Sequence, residues 1–229
     1  MNAAETIPHT QLQPTFLAAH LAPATEAAPY LGVLTPPQLD APQVETGAPG
    51  EMAALLLGSA AHDLGWLRRI AVRGEDRFRW LSGMVTNAVE TLPESTGAYN
   101  LVLNAQGRIQ GDLNVWRSGD ALELEINADQ VEALLAHFDR FIIMDDVELI
   151  PLEQRSAIGI TGPRAHAILN SLGLPTLNEP LSSVAGEIAG LSVPIPVQIE
   201  RCYSTLVPRY AIWAGAEDIP ALWQAITSI

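Results

Sequence analysis

Ile70-Ala71-Val72-Arg73-Gly74-Glu75-Asp76-Arg77-Phe78-Arg79-Trp80-Leu81-Ser82-Gly83-Met84-Val85-Thr86-Asn87 is the stretch from which the fold can be read. A short strand ends in glycine, and a short helix carrying Phe78 and Leu81 follows. The same plan returns at Ile158-Gly159-Ile160-Thr161-Gly162. There Pro163 takes a favoured first-turn position, Ile168, Leu169 and Leu172 mark the helix, and Gly173 stops it. The two copies lie 88 residues apart.

That offset recurs further along the chain. The strand Leu122 to Ile126 and the helix after Asp129 map onto Tyr210 to Ala214 and the helix after Glu217. Val131, Leu134, Leu135 and Phe138 have the i, i+3, i+4, i+7 spacing of one helix face, and their counterparts are Ile219, Leu222, Trp223 and Ile226. Two strand-to-helix pairs at one offset point to an internal duplication. Between them, Tyr99 to Leu103 and Arg108 to Trp116 read as paired strands joined around Asn104-Ala105-Gln106-Gly107, whose Asn and Gly suit a hairpin turn. The expected fold is therefore α+β: two repeated units of antiparallel sheet with helices packed on one face and a cleft where the units meet.

Working outward, residues 51–150 form the first α+β half and 151–229 the second, with a helical stretch over Met52 to Leu57. Residues 1–50 are an Ala/Pro-rich N-terminal arm, broken by Pro36-Pro37, Pro42 and Pro49-Gly50. Phe16, Leu17, Tyr30, Leu31, Val33 and Leu34 make that arm apolar enough to pack on the body.

Composition narrows the chemistry. The 229 residues are 48% apolar and 17% charged, as in a globular protein. All twelve bases are arginine, against 26 acids, for a net charge of −14. Without lysine there is no P-loop lysine, Schiff base or lysine general base. So acidic a chain is a poor binder of nucleic acid. No apolar run approaches the roughly 20 residues that span a membrane. A single cysteine, Cys202, forms no internal disulfide, and no His or Cys spacing suggests a metal site. The expectation is a cytoplasmic protein with neither nucleic acid nor membrane as partner, its oligomeric state left open.

The residues quoted first resemble the folate-binding glycine cleavage T protein/YgfZ superfamily, in which a strand, a G-x-D helix start and an L-x-G-x-x-T-N segment follow one another. Gly97-Ala98-Tyr99-Asn100-Leu101-Val102-Leu103-Asn104-Ala105-Gln106-Gly107-Arg108-Ile109-Gln110-Gly111-Asp112-Leu113 resembles its G-x-Y-x-x-x-L-N-x-x-G-R-I-x-x-D-L segment. Phe138 to Ile143 with Asp146-Val147-Glu148-Leu149 resembles the passage that follows. The likeness is close over residues 63–150, weaker over 155–229 and absent before 51. It implies a tetrahydrofolate or derivative as cofactor, held in a central cavity, and in true T proteins the transfer of an aminomethyl-derived one-carbon unit. It also implies that the family's C-terminal domain is absent from this chain.

The departures from the family pattern carry equal weight. Where T proteins have two aspartates, the first of them catalytic, this chain has Gly111 and Asp112, and glycine supplies no acid or base. The family's Y-T-G-E-D-G segment corresponds to Arg201 to Pro208, which holds no carboxylate. The YgfZ branch's K-G-C-x-x-G-Q-E motif does not occur. The resemblance implies no catalytic residue here, and Met84, Asn87, Tyr99, Asn104 and Asp112 as folate contacts. It implies a folate-binding, YgfZ-like accessory protein whose partners include iron–sulfur proteins. An aminomethyltransferase and a non-catalytic interaction domain are the alternatives.

Blander readings stand beside these. Asp112 alternates with Gln110, Asn114 and Trp116, as on an exposed sheet face; Asn104 and Gly107 suit a turn; Asn87 suits a cap. Arg68, Arg69, Arg73, Arg77 and Arg79 fit either an anionic partner or pairing with neighbouring acids. Cys202 reads as a small apolar side chain.

Overall fold

Gly74 and Gly162, the glycines that close the two leading strands of the repeat, both adopt positive φ, +102° and +140°. A Cβ at Gly74 would lie 1.9 Å from the Asp146 carbonyl oxygen, and one at Gly162 would lie 2.4 Å from that of Gly58. Any side chain is excluded at both positions, so the repeated glycine marks a repeated turn.

The computed structural model describes residues 15–17, 55–189 and 193–229. Most of the N-terminal arm, and Met52 to Ala54 of the helical stretch, lie outside the described residues; Leu55 to Leu57 are helical. The elements run β1 (Ala60–Asp63), β2 (Leu67–Arg73), α1 (Arg77–Met84), β3 (Thr96–Leu103), β4 (Ile109–Ser118), β5 (Ala121–Asn127), α2 (Val131–Asp139) and β6 (Glu148–Pro151). They continue as β7 (Arg155–Thr161), α3 (Ala165–Ser171), β8 (Ser183–Ile188), β9 (Ile195–Arg201), β10 (Arg209–Gly215) and α4 (Ile219–Thr227). The offset of 88 carries β2 onto β7, β5 onto β10 and α2 onto α4 with identical bounds.

The strands form two antiparallel five-stranded sheets, ordered β3-β4-β5-β2-β6 and β8-β9-β10-β7-β1. The orders correspond strand for strand, but the outer partners of β2 and β7 come from different places. β6 follows α2, whereas β1 precedes β2 and crosses to pair with β7 of the second sheet. The middle strands also depart from the offset. Trp116 lies opposite Glu123, while Glu200 lies opposite Ala211, so Trp116 and Glu200 are equivalent positions 84 residues apart. The connecting loops absorb the difference.

Each sheet buries one face under its helices. Ile70, Val72, Leu113, Val115, Leu122 and Leu124 pack with Leu81, Leu134 and Phe138. In the second half Ile158, Ile160, Ile199 and Ile212 pack with Leu169, Leu222 and Ile226, joined by Leu17 from the arm. The opposite sheet faces meet each other, with Leu64, Leu67, Ala157, Ala211 and Trp213 between them. The result is four layers, helix, sheet, sheet, helix, in which the two inner faces place polar side chains toward each other. At one edge the sheets join: the Gly97 N–H donates to the Leu181 carbonyl at 2.7 Å and the Ser183 N–H to that of Ser95 at 2.8 Å.

β1 gives a pH-sensitive contact. The His62 ring lies where a Cβ on Gly159 would sit, and its Nε2 is 3.0 Å from Thr161 Oγ1. Burial, with Arg209 nearby, lowers its pKa to about 4. Above pH ~6.5 the ring is neutral in both folded and unfolded chains, and its contribution is fully present. Between about 6.5 and 4 the unfolded chain takes up a proton that the folded one refuses, so stability falls with pH. Denaturant titrations of wild type and His62→Gln at pH 7 and pH 4.5 should show the wild-type advantage shrinking by on the order of 2–3 kcal/mol. An advantage independent of pH would mean that the ring is free to charge in place.

Candidate functional site

The inner face of the first sheet runs from its centre outward to the hairpin β3–β4, where it opens to solvent. Tyr99, 51% exposed, donates its hydroxyl to Asp112 Oδ2 at 3.2 Å. Gln130, immediately before α2, donates Nε2 to Asp112 Oδ1 at 3.0 Å and accepts the Asp112 backbone N–H through Oε1, also at 3.0 Å. Burial and the Asp112 carboxylate both hold the Tyr99 phenol above its ordinary pKa, so it stays a donor. Asn87 adjoins this pair: its Nδ2 donates to the Tyr99 carbonyl and its backbone N–H to Asn100 Oδ1, both at 2.7 Å.

Two other residues predicted from sequence lie elsewhere. Met84 packs among the residues beneath the helices, on the far face of the same sheet. Asn104 sits in the hairpin turn, its Oδ1 accepting from the N–H groups of Gln106 and Arg108 at 3.0 Å each. The structure thus brings Tyr99, Asp112 and Asn87 together and sets Met84 and Asn104 apart from them.

Position 111 has a direction of its own. A Cβ there would come within 2.9 and 3.0 Å of the Leu134 methyls and 2.6 Å of Gln130 Oε1. A side chain at 111 would therefore enter the packing of α2, and Asp112 is the carboxylate that shares a face with Tyr99.

Sequence reasoning missed the centre of the inner faces. Arg69, 2% exposed, donates Nη2 to both Glu200 oxygens and, at 3.0 Å, to Glu125 Oε2; Glu123 lies 3.7 Å away. Trp213 Nε1 donates to Glu200 at 3.0 Å, Asn114 Nδ2 to Glu125 at 2.9 Å, and the Trp213 ring stacks 4.2 Å from the Arg69 guanidinium. Burial works against the Arg69 charge, but Glu200, Glu125 and Glu123 outweigh it and raise its pKa. Burial pushes Glu200 up to about 8 in spite of Arg69. With more carboxylates than guanidinium, the charge that yields is a carboxylate's and Arg69 stays ionised.

Of the other arginines in the run, Arg79 pairs with Asp76 at 2.9 Å and Asp145 at 2.5 Å, and Arg77 donates to the Asp120 and Gly74 carbonyls. Arg68 donates to the carbonyls of Gly65 and Leu67, and Arg73 is exposed. Cys202 packs beside Trp213 and its neighbours, and burial, with Glu125 near it, pushes its thiol up to about 12. It is no nucleophile at neutral pH.

Residues 18–189 match the model of the GCVT N-terminal domain family. The chain belongs to that family. The match begins well before residue 51, where motif reading found no likeness. Among curated relatives, the aminomethyltransferase of Anoxybacillus flavithermus is 26% identical over 77% of this chain and 48% of its own length. That of Thermotoga petrophila is 24% identical over 78% and 49%. The chain spans about half the length of the curated relatives it matches. Among solved structures, the glycine cleavage system aminomethyltransferase T of Bartonella henselae superposes with a TM-score of 0.76, at 21% identity, over 94% of this chain and 57% of that one. A chain of the heterotetrameric sarcosine oxidase of Corynebacterium sp. U-96 gives 0.55 at 18% identity, over 79% and 91%. At these identities the structures show a shared fold, the T-protein-like arrangement of two antiparallel sheets with few helices. Among the described residues no helix is long and apolar enough to cross a membrane.

A reduced folate, which the family likeness implies, fits the Tyr99 face on one side. The exposed ring offers a stacking surface, Asp112 an acceptor for ring N–H groups, and Leu103 and Ile109, 37% and 62% exposed, an apolar continuation. Two concavities among the described residues lie elsewhere, one between the sheets and one beside α2 and β6. The Tyr99 face is an open platform.

Proposed function

We propose that this GCVT-family chain holds a tetrahydrofolate-type ligand on the open face of β3–β4, as part of an aminomethyltransferase-type protein. The observation that carries the proposal is the Tyr99–Asp112–Gln130 constellation, a half-exposed phenol and a carboxylate locked by the residue that starts α2. In this reading Asp112 receives the ring N–H groups, Tyr99 takes one ring face, and Asn87 keeps the Tyr99 backbone in place. In the one-carbon chemistry of the family's transferases, the carboxylate nearest the ligand would be Asp112, because position 111 faces α2. The narrower role of maintaining iron–sulfur enzymes rests on the likeness to the pattern that T proteins and the YgfZ branch share, without the YgfZ branch's own motif, and makes the same demand for folate. A cytoplasmic location belongs to the same reading.

An open platform buries less ligand surface than an enclosed pocket, and apolar stabilisation falls by roughly 25 cal/mol for each Å² left wet. Calorimetry with tetrahydrofolate and 5-formyltetrahydrofolate should give a dissociation constant of about tens of micromolar or weaker. No heat and no thermal shift at millimolar ligand would eliminate folate binding by this chain.

A further inference from the structure

α2 and β6 leave a groove of about 460 Å³ between them, at the edge of the first sheet opposite β3 and its Tyr99. Its lining is apolar: Leu135, Ala136, Ile142, Val147 and Leu149. The loop that leaves α2 continues the surface with Phe141, Ile143 and Met144, which are 45%, 81% and 94% exposed. Bare apolar side chains grouped in this way mark a contact surface. β6 borders the groove as the last strand of its sheet, paired with β2 alone among the described residues. The Leu152 N–H donates to the Arg69 carbonyl at 2.8 Å, which makes Ile70 and Pro151 a non-hydrogen-bonded pair and, by alternation, Val72 and Leu149 another. The N–H and C=O of Leu149 therefore point outward from the sheet edge.

The second half closes the equivalent place with its own chain. Its outer strand is β1, where Thr15 donates to Asp63 Oδ2 and Leu17 is buried with Leu222 and Ile226 of α4. Among the described residues the first half has no such cover. A segment laid along β6 would bond the Leu149 backbone and drop alternate side chains toward Leu135 and Ala136. The surrounding charge selects its sign. Glu132 and Asp139 stand one turn to either side of Ala136 and Leu135 on α2, Glu148 begins β6, and among the described residues no base lines the groove. The nearest bases do not cancel these acids: Arg140 is turned to His137 Nδ1 at 3.2 Å, and Arg73, opposite Glu148, forms no ion pair with it among the described residues. A second copy of this chain, at net charge −14, lacks the complementary charge, and so do its own residues 18–54, which hold no Lys or Arg. We propose that the α2–β6 groove docks an extended basic segment of a partner protein, apolar at every second residue, as an added strand on β6.

The test is a titration of the full ¹⁵N-labelled chain with an acetylated, amidated heptapeptide of alternating valine and arginine. Saturable shifts are expected at the Ala136 and Leu149 amides, the latter moving downfield as its N–H gains an acceptor. The same peptide N-methylated at alternate residues keeps its charge but cannot pair as a strand, and should bind at least about tenfold more weakly. The unmethylated peptide should lose as much affinity for Ala136→Arg, a change at an exposed helix position, with an unmoved Asp112 amide reporting an intact fold. Equal binding of the N-methylated peptide, an alternating valine and glutamate peptide that binds as well, or no saturable shift at Leu149 would overturn the proposal. So would a groove already filled in the free chain: a dimer abolished by Ala136→Arg would assign it to a second copy, and a Leu149 amide that moves in Leu31→Ser/Leu34→Ser would assign it to the chain's own arm.

Discussion

Arg69→Ala is expected to cost about 3–5 kcal/mol of folding stability, because it leaves Glu200 and Glu125 buried without their counter-charge. Glu200 is 2% exposed, and both its oxygens accept from Arg69. The loss should depend on pH with a definite sign. Burial already raises Glu200 to about 8, above an unfolded value near 4.5. A carboxyl raised in this way contributes stability that is present at low pH and lost as pH rises through the folded value. Removing Arg69 raises it further, so urea titrations should show a larger deficit at pH 8 than at pH 5. The double variant Arg69→Met/Glu200→Gln should recover part of the loss, since the more deeply buried of the two carboxylates is gone while Glu125 stays without its partner. A deficit below about 0.5 kcal/mol at both pH values would show that water reaches the pair.

The second large effect is at the helix faces. Leu134 and Leu222 occupy the same place in α2 and α4, 88 residues apart, and both are fully buried. Leu134→Ala and Leu222→Ala should each cost about 2–5 kcal/mol, the lost transfer energy plus that of the cavity left behind. For Leu134 the methyls come within 2.9 and 3.0 Å of where a Cβ on Gly111 would lie, so truncation opens space beside a residue that has no side chain of its own. Losses within about 0.5 kcal/mol would contradict the packing described for that helix.

What the sequence showed and what it hid follow from the range of the interactions. The helix stripes, the two strand-closing glycines and the Asn104 turn could be read because each is decided within a few residues, by periodicity or by a required φ. The Arg69–Glu200 pair joins residues 131 apart, and Arg69 stands in an arginine-rich run that reads as surface. Burial of that one arginine follows from the meeting of the inner sheet faces, which no local pattern announces. β1 was missed for a similar reason: four residues, Ala60–Asp63, make a strand only because β7 offers an edge. At the candidate site, Tyr99 and Asp112 were legible as alternating strand residues, and the registers Tyr99↔Asn114 and Leu101↔Asp112 set them on neighbouring strands. Met84 was placed at the ligand by its position in a motif; at the end of α1 it is half-buried and packs against the core beneath the helices.

The central claim, that a reduced folate lies on the β3–β4 face with Asp112 beneath it, is tested most directly by mapping amide and side-chain shifts of the ¹⁵N-labelled chain during a titration with 5-formyltetrahydrofolate. The account predicts saturable shifts at residues 99–103, at 109–112 and at the Gln130 side-chain amide, lost or weakened at least about tenfold in Asp112→Asn. Saturable shifts that spare this hairpin, or that survive unchanged in Asp112→Asn, would contradict it.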